Sequence, residues 1–562
     1  MKAHSIPDSL FLARIVDGNP IFYVTDNFGS GTTMRANTLY PGGSLGLNVT
    51  GSDMVVGVWD GGKVRDTHVE FAGRIIFGDA ASTLSPHGTH VTGTIIAQGV
   101  SPSRKGIAYQ ASAKTYEWTN DINEMIGFAD EGFLVSNHSY GNIATNLQPY
   151  YFGNYNSQSI EIDYLMNVYP FYQVVKSAGN DRNNNTLSQV QNKGGYDLLS
   201  GVSTAKNVLT VAAVEQVSTY NGPESVVMSS FSNFGPTDDG RIKPDIAAKG
   251  VELSSTNSTS NTAYAELSGT SMASPGITGL ITLLQKHYNN LNAGSYMRSA
   301  TVRGLLCHSA REAGVNPGPD YEFGWGLADG YNAARVISNK GVSSILDELT
   351  LNNTASYSVS FTINSTQDIN VAIAWTDPVG VANIANDEDN RTPRLKNNLD
   401  LKVLKDGVPY YPWKLDPDSP TSAATNNSDN DVDNIERVEI FNATPGNYTI
   451  QVTHKGSLQG GSQDFTLIAS TTNGLTLNNA DFEADNNFFV YPSPADGTIS
   501  FSNPNNYDVA SISIADVSGK QVMYLAKNAV TDTIDVSNLQ TGIYFVTFTS
   551  DNLSTVKKFV KK

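Results

Sequence analysis

Between about residues 51 and 340, short apolar, β-branched runs alternate with helical patterns. Met54–Trp59, Ala111–Trp118, Phe133–Asn137, Tyr172–Lys176 and Val208–Val214 read as strands; His90–Gln98 and Met272–Tyr288 read as helices. Strands that are apolar on both faces need cover on both, and intervening helices supply it. The pattern therefore predicts an α/β domain with a mostly parallel sheet. Ahead of it, residues 1–50 read as a polar lead-in with one strand-like run, Ile21-Phe22-Tyr23-Val24.

After about residue 341 the period changes to two. Tyr357-Ser358-Val359-Ser360-Phe361-Thr362-Ile363, Val371-Ala372-Ile373-Ala374-Trp375 and Tyr448-Thr449-Ile450-Gln451-Val452 alternate, with turns such as Asp406-Gly407 and Pro445-Gly446-Asn447 between. This predicts an antiparallel β-sandwich over 341–472. A polar stretch, Thr471–Asn487, reads as a linker. A third unit, 487–562, again has short alternating strands, with turns at Asn503-Pro504-Asn505-Asn506, Ser518-Gly519-Lys520 and Thr541-Gly542. The expected fold is an α/β domain followed by two all-β sandwich domains.

Charge narrows the partners. Lys plus Arg number 36 and Asp plus Glu 54 among 562 residues, a formal net charge of −18. Such a surface repels nucleic acid and anionic lipid and leaves carboxylates for calcium. No apolar run reaches the roughly 20 residues that span a bilayer. The start, Met1-Lys2-Ala3-His4-Ser5, has no apolar core of a signal peptide, so the expectation is a cytoplasmic chain or a signal trimmed away. The single cysteine, Cys307, lies in an apolar run and is expected to be a buried thiol.

The α/β region also carries chemistry at the ends of its elements. Asp60 closes the run Met54–Trp59, at the carboxyl end of a strand, where such sheets build their sites. His87 opens His87-Gly88-Thr89-His90-Val91 ahead of a small-residue helix. Ser271 lies in Gly269-Thr270-Ser271-Met272-Ala273-Ser274-Pro275, where a helix N-terminus favours developing negative charge. Asn180 ends Ala178-Gly179-Asn180 and offers an amide donor for an oxyanion. Nucleophile, base, orienting acid and oxyanion donor are the parts that acyl transfer by a serine needs. Bland readings remain for each alone: a loop aspartate, a His87–His90 metal pair without a third ligand, an N-cap serine, a loop asparagine. Gly42-Gly43-Ser44-Leu45-Gly46 matches an esterase pattern but lacks the strand and helix of an elbow.

Taken together, Asp60-Gly61-Gly62, His87-Gly88-Thr89-His90-Val91, Ala178-Gly179-Asn180 and Gly269–Pro275, in the order Asp, His, Ser, resemble the signature blocks of the subtilase family. Ser230-Phe231-Ser232-Asn233-Phe234-Gly235-Pro236 and Lys243-Pro244-Asp245 are similar to further family segments. The resemblance covers about 51–335. It implies a subtilisin-like fold and a serine endopeptidase acting on protein or peptide substrates through Asp60, His87 and Ser271, without a catalytic metal. It also implies oxyanion donors at Asn180 and the Ser271 amide, a substrate-pairing segment at Ser139, Tyr140 and Gly141, and further substrate-binding residues at Ala178 and Gly179. No segment before Asp60 resembles an inhibitory propeptide.

Residues 343–470 resemble the β-sandwich behind the catalytic domain of larger subtilases, through Ala374-Trp375-Thr376-Asp377-Pro378, Asn398-Leu399-Asp400-Leu401 and His454-Lys455-Gly456. Asp429, Asp431 and Asp433 are a candidate structural calcium site, although Asn434 and Ile440 break the EF-hand pattern; solvated loop carboxylates are the alternative. Residues 487–562 resemble a type IX secretion C-terminal sorting domain, through Val490-Tyr491-Pro492-Ser493-Pro494-Ala495, Leu539–Val546 and the basic end Lys557–Lys562. That resemblance implies the type IX machinery as a partner and a secreted or cell-surface location. The rival expectation is an inactive, protease-folded surface adhesin.

Overall fold

The computed structural model describes residues 11–16, 19–23, 28–477, 489–502, 509–517, 520–526, 533–550 and 553–562. A seven-stranded sheet runs in the order Ile75–Phe77, Ser112–Glu117, Val55–Asp60, Val135–His138, Gln173–Ser177, Leu209–Val214, Ile246–Lys249. All six neighbouring pairs are parallel. The five strands expected from the sequence are present, with ends within two residues of those read there. Alternation along Val55–Asp60 divides its side chains between two cores. Val56 and Val58 pack with Val91, Ile95 and Ile277, from helices Pro86–Ile96 and Thr270–Leu291. Trp59 turns the other way, to Phe128, Ile162 and Leu165 of helices Asp121–Asp130 and Ser157–Val168. Gly57 lies under that indole: a Cβ there would come within 2.6 Å of Trp59.

Two expectations need correction here. Residues 29–50 are not a lead-in; Met34, Ala36, Leu39 and Tyr40 are buried in the same core as Val91 and Ile277. Short polar stretches hide this because each contributes only one or two apolar residues per turn. The run at 21–24 lies in strand Asn19–Tyr23, paired antiparallel with Phe11–Val16; Val24 lies outside the described residues. The helix predicted from His90 starts four residues earlier, at Pro86, because the Ser85 hydroxyl accepts from Gly88 N at 2.8 Å and caps it.

The β-sandwich has one sheet ordered Ile345–Asn352, Ser462–Thr471, Gln367–Trp375, Ile435–Ala443. The other is ordered Val408–Tyr410, Asn398–Lys405, Gly446–Lys455, Tyr357–Ile363, Thr476–Leu477. It is not independent of the α/β body: everything up to Thr476 forms one compact unit. Helix Ser299–Ser309 lies on strands Gln367–Trp375 and Ser462–Thr471. A buried polar network ties the two halves. The Lys206 ammonium pairs with Asp377, both fully buried, and donates to the Arg394 carbonyl at 3.0 Å. Asn207 and Asp377 exchange two bonds of 2.9 Å, and Arg303 donates to the Asn207 and Trp375 carbonyls at 2.6 and 2.7 Å. Cys307 is buried, as expected.

Leu477–Lys562 is a second compact unit. Its sheets are Phe489–Tyr491, Thr498–Ser502, Thr533–Asp535 and Gln521–Ala526, Val509–Asp516, Gly542–Ser550, Leu553–Lys561. Ile512, Ile514, Val546 and Phe559 fill its core. The expected linker after Leu477, the turn at 503–506 and most of the turn at 518–520 lie outside the described residues.

Candidate active site

The carboxyl ends of neighbouring parallel strands carry the first components. Register pairs Trp59 with His138, so Asp60 and Ser139 emerge side by side. Asp60 is 1% exposed and accepts from Gly61 N at 2.8 Å and from Ser85 Oγ at 3.2 Å. His87 stands in the first turn of helix Pro86–Ile96, and its Nδ1 lies 2.8 Å from Asp60 Oδ2. Burial pulls the His87 pKa down, but the Asp60 hydrogen bond and charge outweigh it and hold the value above that of an ordinary histidine. His90 is different. Its Nε2 meets the Leu253 and Ala265 carbonyls at 2.9 and 3.1 Å, and burial lowers its pKa to about 4, so it is a neutral internal strut. With His87 committed to Asp60 and His90 to two carbonyls, the metal-pair reading fails.

Ser271 is in the first turn of helix Thr270–Leu291, which packs against helix Pro86–Ile96. Its hydroxyl donates to the Ser139 carbonyl at 3.2 Å, and the Ser139 hydroxyl returns a bond of 3.1 Å to the Ser271 carbonyl. The Ser139 hydroxyl also accepts from Asn137 Nδ2 at 2.9 Å, and Asn137 Oδ1 takes the Ser274 hydroxyl at 2.7 Å. These bonds lock the start of the helix to the sheet. Asn180 Oδ1 accepts from the Thr270 amide and hydroxyl at 2.8 and 3.0 Å, which leaves its Nδ2 donor turned away from Thr270. A Cβ on Gly179 would meet Asn233 Nδ2 at 2.3 Å, so only glycine lets the chain pass there, at φ +109°.

Ser271, Asn180, Ser139, Tyr140, Gly141, Ala178 and Gly179 share the lining of one cavity of about 250 Å³. Larger depressions of about 380 and 510 Å³ contain none of the three triad candidates. Supporting residues that the sequence did not single out are Ser85, Asn137, Thr270 and Asn233, together with Lys176 in the cavity wall. Apart from the Asn137–Ser139 bond and the Ser85 cap on Gly88, their partners are distant in sequence, so little local signal marks them. Ser44 sits in an exposed glycine turn, as expected.

The calcium expectation at Asp429, Asp431 and Asp433 needs correction. Lys455 lies 3.2 Å from Asp429 and also pairs with Asp431, while Lys402 lies 3.0 Å from Asp429. Asp433 turns inward and accepts from Ile242 N at 2.8 Å. Lysine ammonium groups neutralise the loop carboxylates Asp429 and Asp431. Among the described residues, the cluster with cation-ligand spacing is Asp197, Asp238 and Asp389. Asp197 Oδ1 and Asp238 Oδ1 are buried without partners, and both face Gly153, where a Cβ would come within 2.5 and 2.6 Å. Burial and neighbouring carboxylates raise Asp197 to about 7, against the opposing pull of Lys193 2.8 Å away, and raise Asp238 to about 8. Lys193 also lies 2.8 Å from Asp389, so the oxygens left for calcium are the inner ones of Asp197 and Asp238, which no ammonium reaches.

Residues 51–326 match the model of the subtilase family, and residues 489–562 match that of the secretion system C-terminal sorting domain. The chain is 23% identical over 289 residues to the serine protease/ABC transporter B family protein tagA of Dictyostelium discoideum, covering 45% of this chain and 16% of that one. It is 54% identical over 61 residues to the C5a peptidase of Streptococcus pyogenes, covering 11% of this chain and 5% of that one. The chain thus spans a small part of the length of these relatives. The self-cleaved protease domain of PatA aligns with a TM-score of 0.40 at 22% identity, over 52% of this chain and 99% of that one.

Proposed function

Since residues 51–326 are a subtilase-family domain and residues 489–562 a secretion sorting domain, we propose that this secreted serine protease is an endopeptidase working through Asp60, His87 and Ser271. The observation that carries the reading is the hydrogen bond between His87 Nδ1 and the buried Asp60 carboxylate, with Ser271 at the N-terminus of a helix that packs on the His87 helix. His87 takes the Ser271 proton as Oγ attacks the peptide carbonyl. Asp60 fixes the imidazole tautomer and stabilises its cation. Asn180 Nδ2 and the Ser271 amide receive the oxyanion. His87 then protonates the leaving amine, and water, deprotonated by the same imidazole, resolves the acyl-enzyme. In the resting arrangement the Ser271 hydroxyl donates to Ser139. Catalysis requires that hydroxyl to turn from Ser139 to His87, in line with catalytic hydrogen bonds that tighten only with substrate bound.

Ser139–Gly141 would pair with an extended substrate, with Ala178 and Gly179 opposite. Calcium held by Asp197 and Asp238 would stabilise the fold and take no part in the chemistry. The sorting domain would hand the chain to the type IX machinery and leave it secreted or at the cell surface.

A serine-directed fluorophosphonate tests the core of this reading. It should label Ser271 in the full chain, and Ser271→Ala should abolish labelling and lower kcat by about 10⁶-fold, the scale of losing a triad serine. A folded Ser271→Ala protein that still cleaves casein at a near-normal rate overturns the assignment.

A further inference from the structure

Lys176, in strand Gln173–Ser177, is 4% exposed, yet it lines the cavity that holds Ser271, and its ammonium would lie 3.7 Å from a Cβ on Gly141 in the same wall. It donates to the Tyr140 carbonyl and, at 3.3 Å, to Ser177 Oγ. No carboxylate among the described residues forms an ion pair with it. The acids nearby are engaged elsewhere: Asp121 accepts from the Tyr140 hydroxyl at 2.7 Å, Asp181 from Asn233 Nδ2 at 3.2 Å, and Asp60 holds His87. Burial without a counter-charge draws the Lys176 pKa down to about 7, with Asp121 opposing from a distance. An unpaired buried ammonium is costly to maintain, and a structural lysine would normally be met by a carboxylate.

The rest of the wall agrees with a polar guest. Asn142, Ser177, Ser200, Ser203 and Asn233 present hydroxyl and amide groups where an apolar substrate side chain would need apolar contact. The distances also agree. Ser271 Oγ and Lys176 Nζ bind the carbonyls of consecutive residues, Ser139 and Tyr140. With Cα atoms about 3.8 Å apart, this puts the two groups within about 10 Å of each other. A glutamate whose carbonyl carbon is at Ser271 can reach across that gap; an aspartate is one methylene shorter.

Resting on the proposed role of Ser271, we infer that Lys176 is a specificity-determining residue that selects substrates with glutamate on the acyl side of the cleaved bond. The substrate carboxylate supplies the counter-charge that the fold withholds.

The test is a peptide series identical except for Glu, Gln, Phe or Lys at that position, assayed with the full chain and with Lys176→Met. The wild type should favour Glu over isosteric Gln by about tenfold or more in kcat/KM, the scale of a close desolvated charge pair. Lys176→Met should bring that ratio to about one. A wild type that labels with fluorophosphonate and cleaves Gln or Phe peptides as well as Glu peptides overturns the inference and leaves the triad reading standing. A wild type that does not label sinks the triad reading itself. The wild-type Glu-to-Gln ratio decides the matter even where Lys176→Met fails to fold.

Discussion

The sandwich over 345–477 and the sheets over 489–562 are both made of short alternating strands, and both close a core of branched and aromatic side chains. They differ in where their buried polar groups find partners. The Asp377 carboxylate, the Arg394 backbone N–H and the Asn434 side-chain amide of the first reach into the α/β body, to Lys206, Asp239 and Asn207. The second is a compact unit of its own, with the segment at Ala495 paired to its final strand: Ala495 N donates to Val560 O at 2.7 Å, and Lys562 N to Ala495 O at 2.9 Å. A hydrophobic pattern therefore says that a sandwich will form, and buried polar groups tie the first one to its neighbour.

The strongest way to break this contrast is truncation. Removing 341–562 should leave no soluble, cooperatively folding peptidase, because Lys206, Asn207 and Arg303 would lose their buried partners; a stable, active 1–340 fragment would refute the fused junction. Next in size, Lys206→Met should cost about 3–5 kcal/mol in a urea melt, since it strands Asp377 in the interior; a loss under about 1 kcal/mol would mean the pair is incidental. Chelation should lower stability by about 2–3 kcal/mol if calcium is bound at a hundredfold excess over its Kd. Asp197→Asn should abolish that sensitivity. An unchanged wild-type melting temperature in chelator would refute the cation site. The smallest effect is expected at the other boundary. Deleting 489–562 should leave kcat/KM within about twofold, as for a separately folded domain, while the protein fails to leave its host. Normal release would overturn the sorting role, and a large loss of activity would erase the contrast between the two regions.

Much of the proposed site was legible in the sequence, because the candidate triad residues sit where elements end and element ends have local signals. Asp60 follows an apolar strand, and Ser271 precedes a long helix. The fold class followed from the switch between periods. What the sequence hid was pairing over distance. Nothing near Lys206 announces Asp377, and nothing near Asp429 announces Lys455, so three closely spaced aspartates resembled a calcium loop when two of them were bound by lysines. Met34 and Leu39 belong to the main core, yet their stretch is too short and too polar to show a period. Lys176 read as the end of an ordinary strand; only its missing counter-ion distinguishes it.

The ion pair between Lys206 and Asp377 also limits how such a chain can be recombined. A graft that exchanges the first sandwich must bring a carboxylate to the same spot or remove the ammonium with it, so the α/β body and that sandwich are inherited as one block. The unit from Leu477 onward is compact by itself; as the part that matches the sorting-domain model, it is where a change of destination would be written.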